Sequence, residues 1–383
     1  MSGQQPGMGS PAGGADAPVG LPGEALGKRP GPWSVVLKVA SAAISGGLIV
    51  LLFVAVIPKV ADFEEVGESL KSMRPITILM LFVAAVLIRV FLTQAYAVLT
   101  PEVNFRQALI AREASSAVSN AIPGPSGTAS QFVILHSWGV GAERFAGATV
   151  AVSVCTNVLI FAAPGGFFVV WAMLGMPAGA GGADPWIFGL VAAGVSTLAI
   201  TVVAAVARSA RFAHLLGRTC ERLANPVRRV FGKGPIDTWA DQAVELRSNL
   251  AAELRLSGIR LLIYTTAGYL LNGLLLVACI WACGASQEQL PMSLGLLLYS
   301  VGRIATVIQI TPGGVGVVEI VYSAVYISVL GEDAHDFVVG GVLVYRALTY
   351  LLPIVTGAFA YVIWRLMRRH ERRDAAASEP AGG

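Results

Sequence analysis

Ile310-Thr311-Pro312-Gly313-Gly314-Val315-Gly316-Val317-Val318-Glu319 interrupts an apolar stretch that otherwise runs over about 292–330. A second interruption, Asn120-Ala121-Ile122-Pro123-Gly124-Pro125-Ser126-Gly127, lies within about 113–135. Proline removes a backbone donor, and glycine has little preference for helix. In hydrocarbon every freed backbone group must find a partner, so such breaks are tolerated at membrane depth where they line a protein-enclosed cavity. Paired broken segments in corresponding halves of a chain point to a transporter's binding site.

The rest of the chain supports a membrane setting. Of 383 residues, 55% are hydrophobic and only 13% charged, against about 25% charged in soluble domains. The mean hydropathy is +0.70. The apolar runs are continuous rather than alternating, which argues against a β-barrel. An all-α polytopic membrane protein is expected. A spanning helix needs about 20 apolar residues. Six stretches qualify, at roughly 35–57, 76–99, 146–174, 186–207, 259–283 and 338–365.

Residues 1–34 form a Gly-, Pro- and Ala-rich N-terminal tail, expected to be disordered, as is a C-terminal tail over 371–383. The membrane domain between them covers 35–370, in halves of about 35–175 and 186–366. Loop 208–257 carries Arg208, Arg211, Arg218, Arg222, Arg228, Arg229, Lys233, Arg247 and Arg255. The C-terminal end adds Arg365, Arg368, Arg369, Arg372 and Arg373. Segments 175–185, 284–291 and 331–337 hold no Lys or Arg. The bias of basic residues to inner loops places 208–257 and both termini in the cytoplasm, with the plasma (inner) membrane as the expected location. Loop 208–257 is read as carrying one or two amphipathic surface helices, for example around Trp239 to Leu256. It is also the segment offered to a protein partner.

Orientation constrains the breaks. Segment 113–135 starts and ends inside, and its halves of about ten residues are too short to cross. It is predicted to be a re-entrant hairpin. Segment 292–330 starts and ends outside, either as a hairpin or as two short spans. The two halves then read alike with opposite orientation, the arrangement of an inverted-topology repeat.

Charges within spans are expensive and mark sites or pairs. Arg89, Arg303 and Arg346 fall inside apolar segments, Arg112 and Glu113 open the first broken one, and Glu319 follows the second break. Few acids are available to neutralise the arginines. One reading has Arg89, Arg303 and Arg346 facing a polar cavity that holds an anion, since the planar guanidinium donates two parallel hydrogen bonds to phosphate. The other pairs an arginine structurally, such as Arg346 with Glu319. Arg346 and Tyr350 share a helical face at i,i+4, with Tyr345 adjacent. Ser115, Ser116, Ser119 and Asn120 make the first hairpin's entry polar. Gln131, Asn157, Asn272 and Gln309 are further lining candidates.

No enzyme motif is present. The four histidines form no H-E-x-x-H, and there is no Walker A sequence. The cysteines Cys155, Cys220, Cys279 and Cys283 form no metal-ligand pattern. No catalytic residue, cofactor, metal or nucleic-acid partner is therefore expected.

The stretch from Thr311 to Glu319 resembles the C-terminal signature of the lysylphosphatidylglycerol synthase transmembrane region family, also described as the flippase-like domain. Asn120 to Gly127 resembles its first signature, and Tyr345-Arg346 fits the last span. The resemblance covers about 35–370. Many members carry an acidic residue after the first Pro-x-x-Gly run, where this chain has Thr128. The resemblance implies movement of aminoacylated or other anionic lipids between leaflets, and in some relatives polyprenyl-linked sugars. Bifunctional relatives add a soluble aminoacyl-transferase domain. This chain ends ten residues after Arg373, so lysyl transfer is not expected.

The sequence thus predicts a lipid translocase. Arg303, Arg346, Arg89, Arg112, Glu319, Tyr345, Tyr350 and Asn120 are its candidate substrate-binding residues. Pro123, Gly124, Gly127, Pro312, Gly313, Gly314 and Gly316 form its hairpin breaks. A membrane-embedded glycosyltransferase or accessory subunit acting on polyprenyl phosphate is the alternative, and a structural or partner-recruiting membrane protein is a third.

Overall fold

A computed structural model describes residues 73–122, 124–175, 185–230, 238–307 and 311–378. The predicted N-terminal tail, the predicted span over 35–57, Pro123 and Gln309 lie outside the described residues. Among the described residues the chain forms helices and no strand. The helices are α1 (Pro75–Ala97), α2 (Phe105–Ala121), α3 (Ser126–His136), α4 (Ala142–Met173), α5 (Pro185–Arg208), α6 (Ala210–Val230), α7 (Trp239–Ala282), α8 (Met292–Ala305), α9 (Val317–Leu330), α10 (His335–Arg346) and α11 (Leu352–Ser378).

Five helical segments are long and apolar enough to cross a membrane: Pro75–Ala97, Ala142–Met173, Trp186–Val206, Ser257–Ala282 and Glu332–Arg369. They match five of the six predicted spans. Their outward faces are apolar, with Leu190, Leu198 and Phe359 all more than half exposed. In water such a surface would aggregate, whereas in a bilayer it meets its own kind of solvent.

Both interrupted stretches fold as helical hairpins. In the first, α2 packs against α3. Asn104 starts α2 with a reciprocal cap: its side chain accepts from the Gln107 N–H, and the Gln107 side chain accepts from the Asn104 N–H, both at 3.0 Å. Gly124, at φ 88°, makes the turn that an L side chain would resist. In the second hairpin, α8 packs against α9, with Gly302 against the Tyr322 ring and the Tyr326 hydroxyl donating to the Gly295 carbonyl at 2.6 Å. The arms have 17 and 11 residues in one hairpin and 14 each in the other. At 1.5 Å per residue the longest spans about 25 Å, short of a hydrocarbon core of about 30 Å.

The core is built around the apolar half of α7. Leu275, Leu276, Val277, Cys279 and Ile280 are buried against Leu294, Leu297 and Leu298 of α8, Tyr322 and Tyr326 of α9, and Val338 and Val342 of α10. Small residues set the closest approaches, as membrane helix packing requires. A Cβ on Gly341 would lie 2.5 Å from Ile280 Cα. Helix α11 runs along α2, and Gly357 sits directly on the Glu113 carbonyl.

Helix α11 continues through Ser378, into the segment read from sequence as a C-terminal tail. Alanines 375–377 favour helix, and Arg368 bonds Glu371 across i,i+3 at 2.7 Å. Segment 208–257 forms the two helices expected of it, α6 and the first half of α7. Helix α6 packs on the first half of α7, which continues unbroken into the span. On α6, Leu215, Leu216 and Leu223 form an exposed apolar strip beside exposed Arg211, Arg218 and Arg222. That is the pattern of a helix lying in a membrane interface.

Candidate functional site

The tips of the two hairpins meet at Tyr350. α10 and α11 form one rod whose turn 347–351 widens to π spacing. Pro353 explains the widening, because a proline clashes with the carbonyl four residues back in regular α geometry. The Tyr350 hydroxyl donates to the Asn120 backbone carbonyl, and the Asn120 side-chain amide donates to the Tyr350 carbonyl, both at 3.1 Å. Gly313 of the second break lies flat against the Tyr350 ring, where a Cβ would collide with it.

Two ion pairs lie close to these breaks. Arg346 donates through Nε to Glu319 Oε1 at 2.8 Å and through a terminal nitrogen to the Gly313 carbonyl at 2.9 Å. Its guanidinium also stacks 4.8 Å from the Tyr350 ring centroid. Glu319 in turn accepts from the Gly316 N–H at 2.7 Å, a first-turn acid satisfying a free amide of α9. In the other pair, Arg89 contacts both oxygens of Glu113 at 2.7 and 2.8 Å. The Thr356 hydroxyl donates to the same carboxylate at 2.6 Å. Each of these arginines therefore has its charge compensated within the protein.

Arg112 and Arg303 have no such partner among the described residues. Arg112 lies over the Tyr96 ring at 5.8 Å, and Arg303 reaches only the Thr306 hydroxyl at 3.5 Å, the long limit for a hydrogen bond. Glu113 follows Arg112 directly. One helical step of about 100° sends the acid toward Arg89 and leaves the arginine facing elsewhere.

Both unpaired arginines line cavities. One, of about 320 Å³, is bounded by Arg112, Arg303, Tyr96, Asn157, Tyr269, Asn272 and Tyr299. The adjoining one, of about 310 Å³, is bounded by Arg89, Arg112, Ser115, Ser116, Ser119, Asn120, Thr128, Gln131, Asn272 and Thr349. Arg112 and Asn272 belong to both walls, and among the described residues neither wall contains a carboxylate.

The predicted residues thus separate. Arg112, Arg89 and Asn120 line a cavity, as do the serines of the first hairpin, Gln131, Asn157 and Asn272. Arg303 lines the cavity of about 320 Å³. Arg346 and Glu319 are joined to each other at the second break and line neither cavity. Tyr350 bridges the breaks, and Tyr345 hydrogen-bonds Asn272 at 3.3 Å.

Of a tyrosine cluster around Arg303, the sequence reading named Tyr345 and missed Tyr269, Tyr299 and Tyr322. Tyr269, Tyr299, Tyr322 and Tyr345 follow one another with ring centroids 5.3, 5.8 and 6.2 Å apart. Their signal was the i,i+4 spacing of Tyr299 and Arg303, which puts both on one face of α8. Thr356 was also missed, one turn beyond Pro353.

No curated protein matches the chain. A family model, described as the lysylphosphatidylglycerol synthase TM region, matches residues 39–357. That match spans both hairpins and every site residue named above, and the chain belongs to this family of membrane proteins.

Proposed function

We propose that this protein is a lipid translocase of the flippase-like kind, moving an anionic lipid between leaflets without chemical change. The observation that carries the reading is that Arg112 and Arg303, neither with a carboxylate partner among the described residues, face one cavity that the first arms of the two hairpins share with α1, α4 and α7. Uncompensated cations at that depth are costly unless something anionic visits them. Each lies on the first arm of its hairpin, eleven residues before Pro123 and nine before Pro312, so the halves contribute alike. This fits an inverted repeat whose hairpins enter from opposite faces and touch at Asn120, Tyr350 and Gly313. Alternating exposure then consists of one half rocking against the other about those tips. The acyl chains stay in the bilayer while the headgroup passes Arg303 and Arg112. The Arg89–Glu113 and Arg346–Glu319 pairs act as fixed braces. The basic surface helices face the cytoplasm at the plasma membrane, with both termini on that side.

A glycosyltransferase would need a free carboxylate near the cavity. Glu113 and Glu319 are both engaged by arginine and by a second donor, which weighs against that alternative. The test of the translocase reading is leaflet exchange of labelled lipids in proteoliposomes. Headgroup-selective movement of anionic over zwitterionic lipid, lost in Arg303→Gln and Arg112→Gln, is the expected result. Equal movement in wild type and both variants overturns it.

A further inference from the structure

We infer that the cavity between Arg112 and Arg303 selects a phosphate group carrying two negative charges, a phosphomonoester or diphosphate, over a phosphodiester with one. This rests on the cavity being the headgroup site proposed above.

Apart from exposed Arg106 at the start of α2, four arginines stand near the breaks and cavities, and two are neutralised, Arg89 by Glu113 and Arg346 by Glu319. Arg112 and Arg303 remain, and among the described residues no carboxylate lines either cavity. A monoanion bound there leaves one cation of the two without a partner. A dianion balances both, and a phosphomonoester carries about −1.5 to −2 charges at pH 7 with three strong acceptor oxygens. An aminoacylated phospholipid, with its own ammonium, brings a third cation into the same space.

A second observation points the same way. Tyr269 lines the Arg303 cavity, is 6% exposed, and its buried hydroxyl has no hydrogen-bond partner among the described residues. A buried donor left unsatisfied is costly. A phosphate oxygen between Arg303 and Tyr269 would accept from it, using an oxygen that a diester spends on its second ester link.

Equilibrium binding to the purified full chain in detergent tests this with short-chain phosphatidic acid, phosphatidylglycerol and phosphatidylcholine of matched acyl length, and with inorganic phosphate. Phosphatidic acid is expected to bind at least about tenfold more tightly than phosphatidylglycerol, the scale of one added charged hydrogen bond. That preference should vanish in Arg112→Gln and in Arg303→Gln and partly return in Arg303→Lys. The lysine variant keeps the cation should the glutamine variant fail to fold. Equal affinity for phosphatidic acid and phosphatidylglycerol overturns the inference and leaves the translocase reading standing. Dianion-selective binding without leaflet exchange keeps the inference and overturns the translocase. Inorganic phosphate binding as tightly as phosphatidic acid, through the same arginines, keeps the dianion and moves its source from lipid to the soluble pool. No arginine-dependent binding of any probe overturns the inference.

Discussion

Tyr350 and Asn120, 230 residues apart, hold each other through two hydrogen bonds of 3.1 Å, each running from one side chain to the other's backbone carbonyl. This exchange satisfies carbonyls that a widened turn and a helix end leave free. It also fixes the first break against the rod on which the second break rests. Removing only the hydroxyl in Tyr350→Phe keeps the ring and its stacking with Arg346. The cost expected is about 1 kcal/mol, the net worth of one neutral hydrogen bond. Thermal unfolding in detergent should show a lowered midpoint, and an unchanged midpoint would mean the link carries no weight.

Gly313 has φ 59° and faces the Tyr350 ring with no room for a Cβ. Gly313→Ala meets both a left-handed backbone penalty of about 1–2 kcal/mol and the steric conflict. Adding Tyr350→Ala relieves only the second. The double variant should therefore regain part of the stability lost by Gly313→Ala relative to the Tyr350→Ala background. The three variants' unfolding midpoints decide this, and strict additivity would show that the ring contact is unimportant.

The Arg346–Glu319 pair is nearly buried, with side chains 11% and 12% exposed. Neutralising one member leaves the other charge without compensation, which costs about 3–5 kcal/mol for buried pairs. Glu319→Gln and Arg346→Gln should each destabilise strongly. The double variant should cost clearly less than their sum, the signature of direct coupling. Summed costs in chemical denaturation would contradict the pairing.

Gly357 packs on the Glu113 carbonyl, and a Cβ there would stand 2.6 Å from Ala117 Cβ. Gly357→Leu should wedge α11 from α2 and disturb the carboxylate shared by Arg89 and Thr356. The accompanying variant Thr356→Val removes only the hydroxyl at 2.6 Å and should cost about 1.5–3 kcal/mol, as for a hydrogen bond to a charged group. Gly357→Leu is expected to be the worse of the two in monodisperse yield, and the reverse order would place the critical contact elsewhere.

Much of this architecture could be read from residues. Proline and glycine marked both hairpins because they remove what a helix needs, and apolar length marked α1, α4, α5 and the later spans. The extent of α7 was hidden because Glu245, Arg247, Glu253 and Arg255 made its first half look like a surface helix separate from the span. All four are good helix formers, and no proline stands between 239 and 282 to stop it. In the site, the cost of intramembrane charge singled out the arginines, and a pairing of Arg346 with Glu319 could be proposed from the shortage of acids. Which arginines stay unpaired was not legible. Arg89 finds Glu113 across 24 positions, and only helix phase and packing send Arg112 to the cavity while its neighbour Glu113 turns away.

The central claim is that Arg112 and Arg303 serve one anion site. Initial rates of leaflet exchange of an anionic lipid, measured in proteoliposomes for wild type, Arg112→Gln, Arg303→Gln and the double variant, test it directly. One shared site predicts that each single substitution removes most of the protein-dependent rate and that the second adds little. Independent losses that multiply in the double variant, or singles that transport normally, would contradict it.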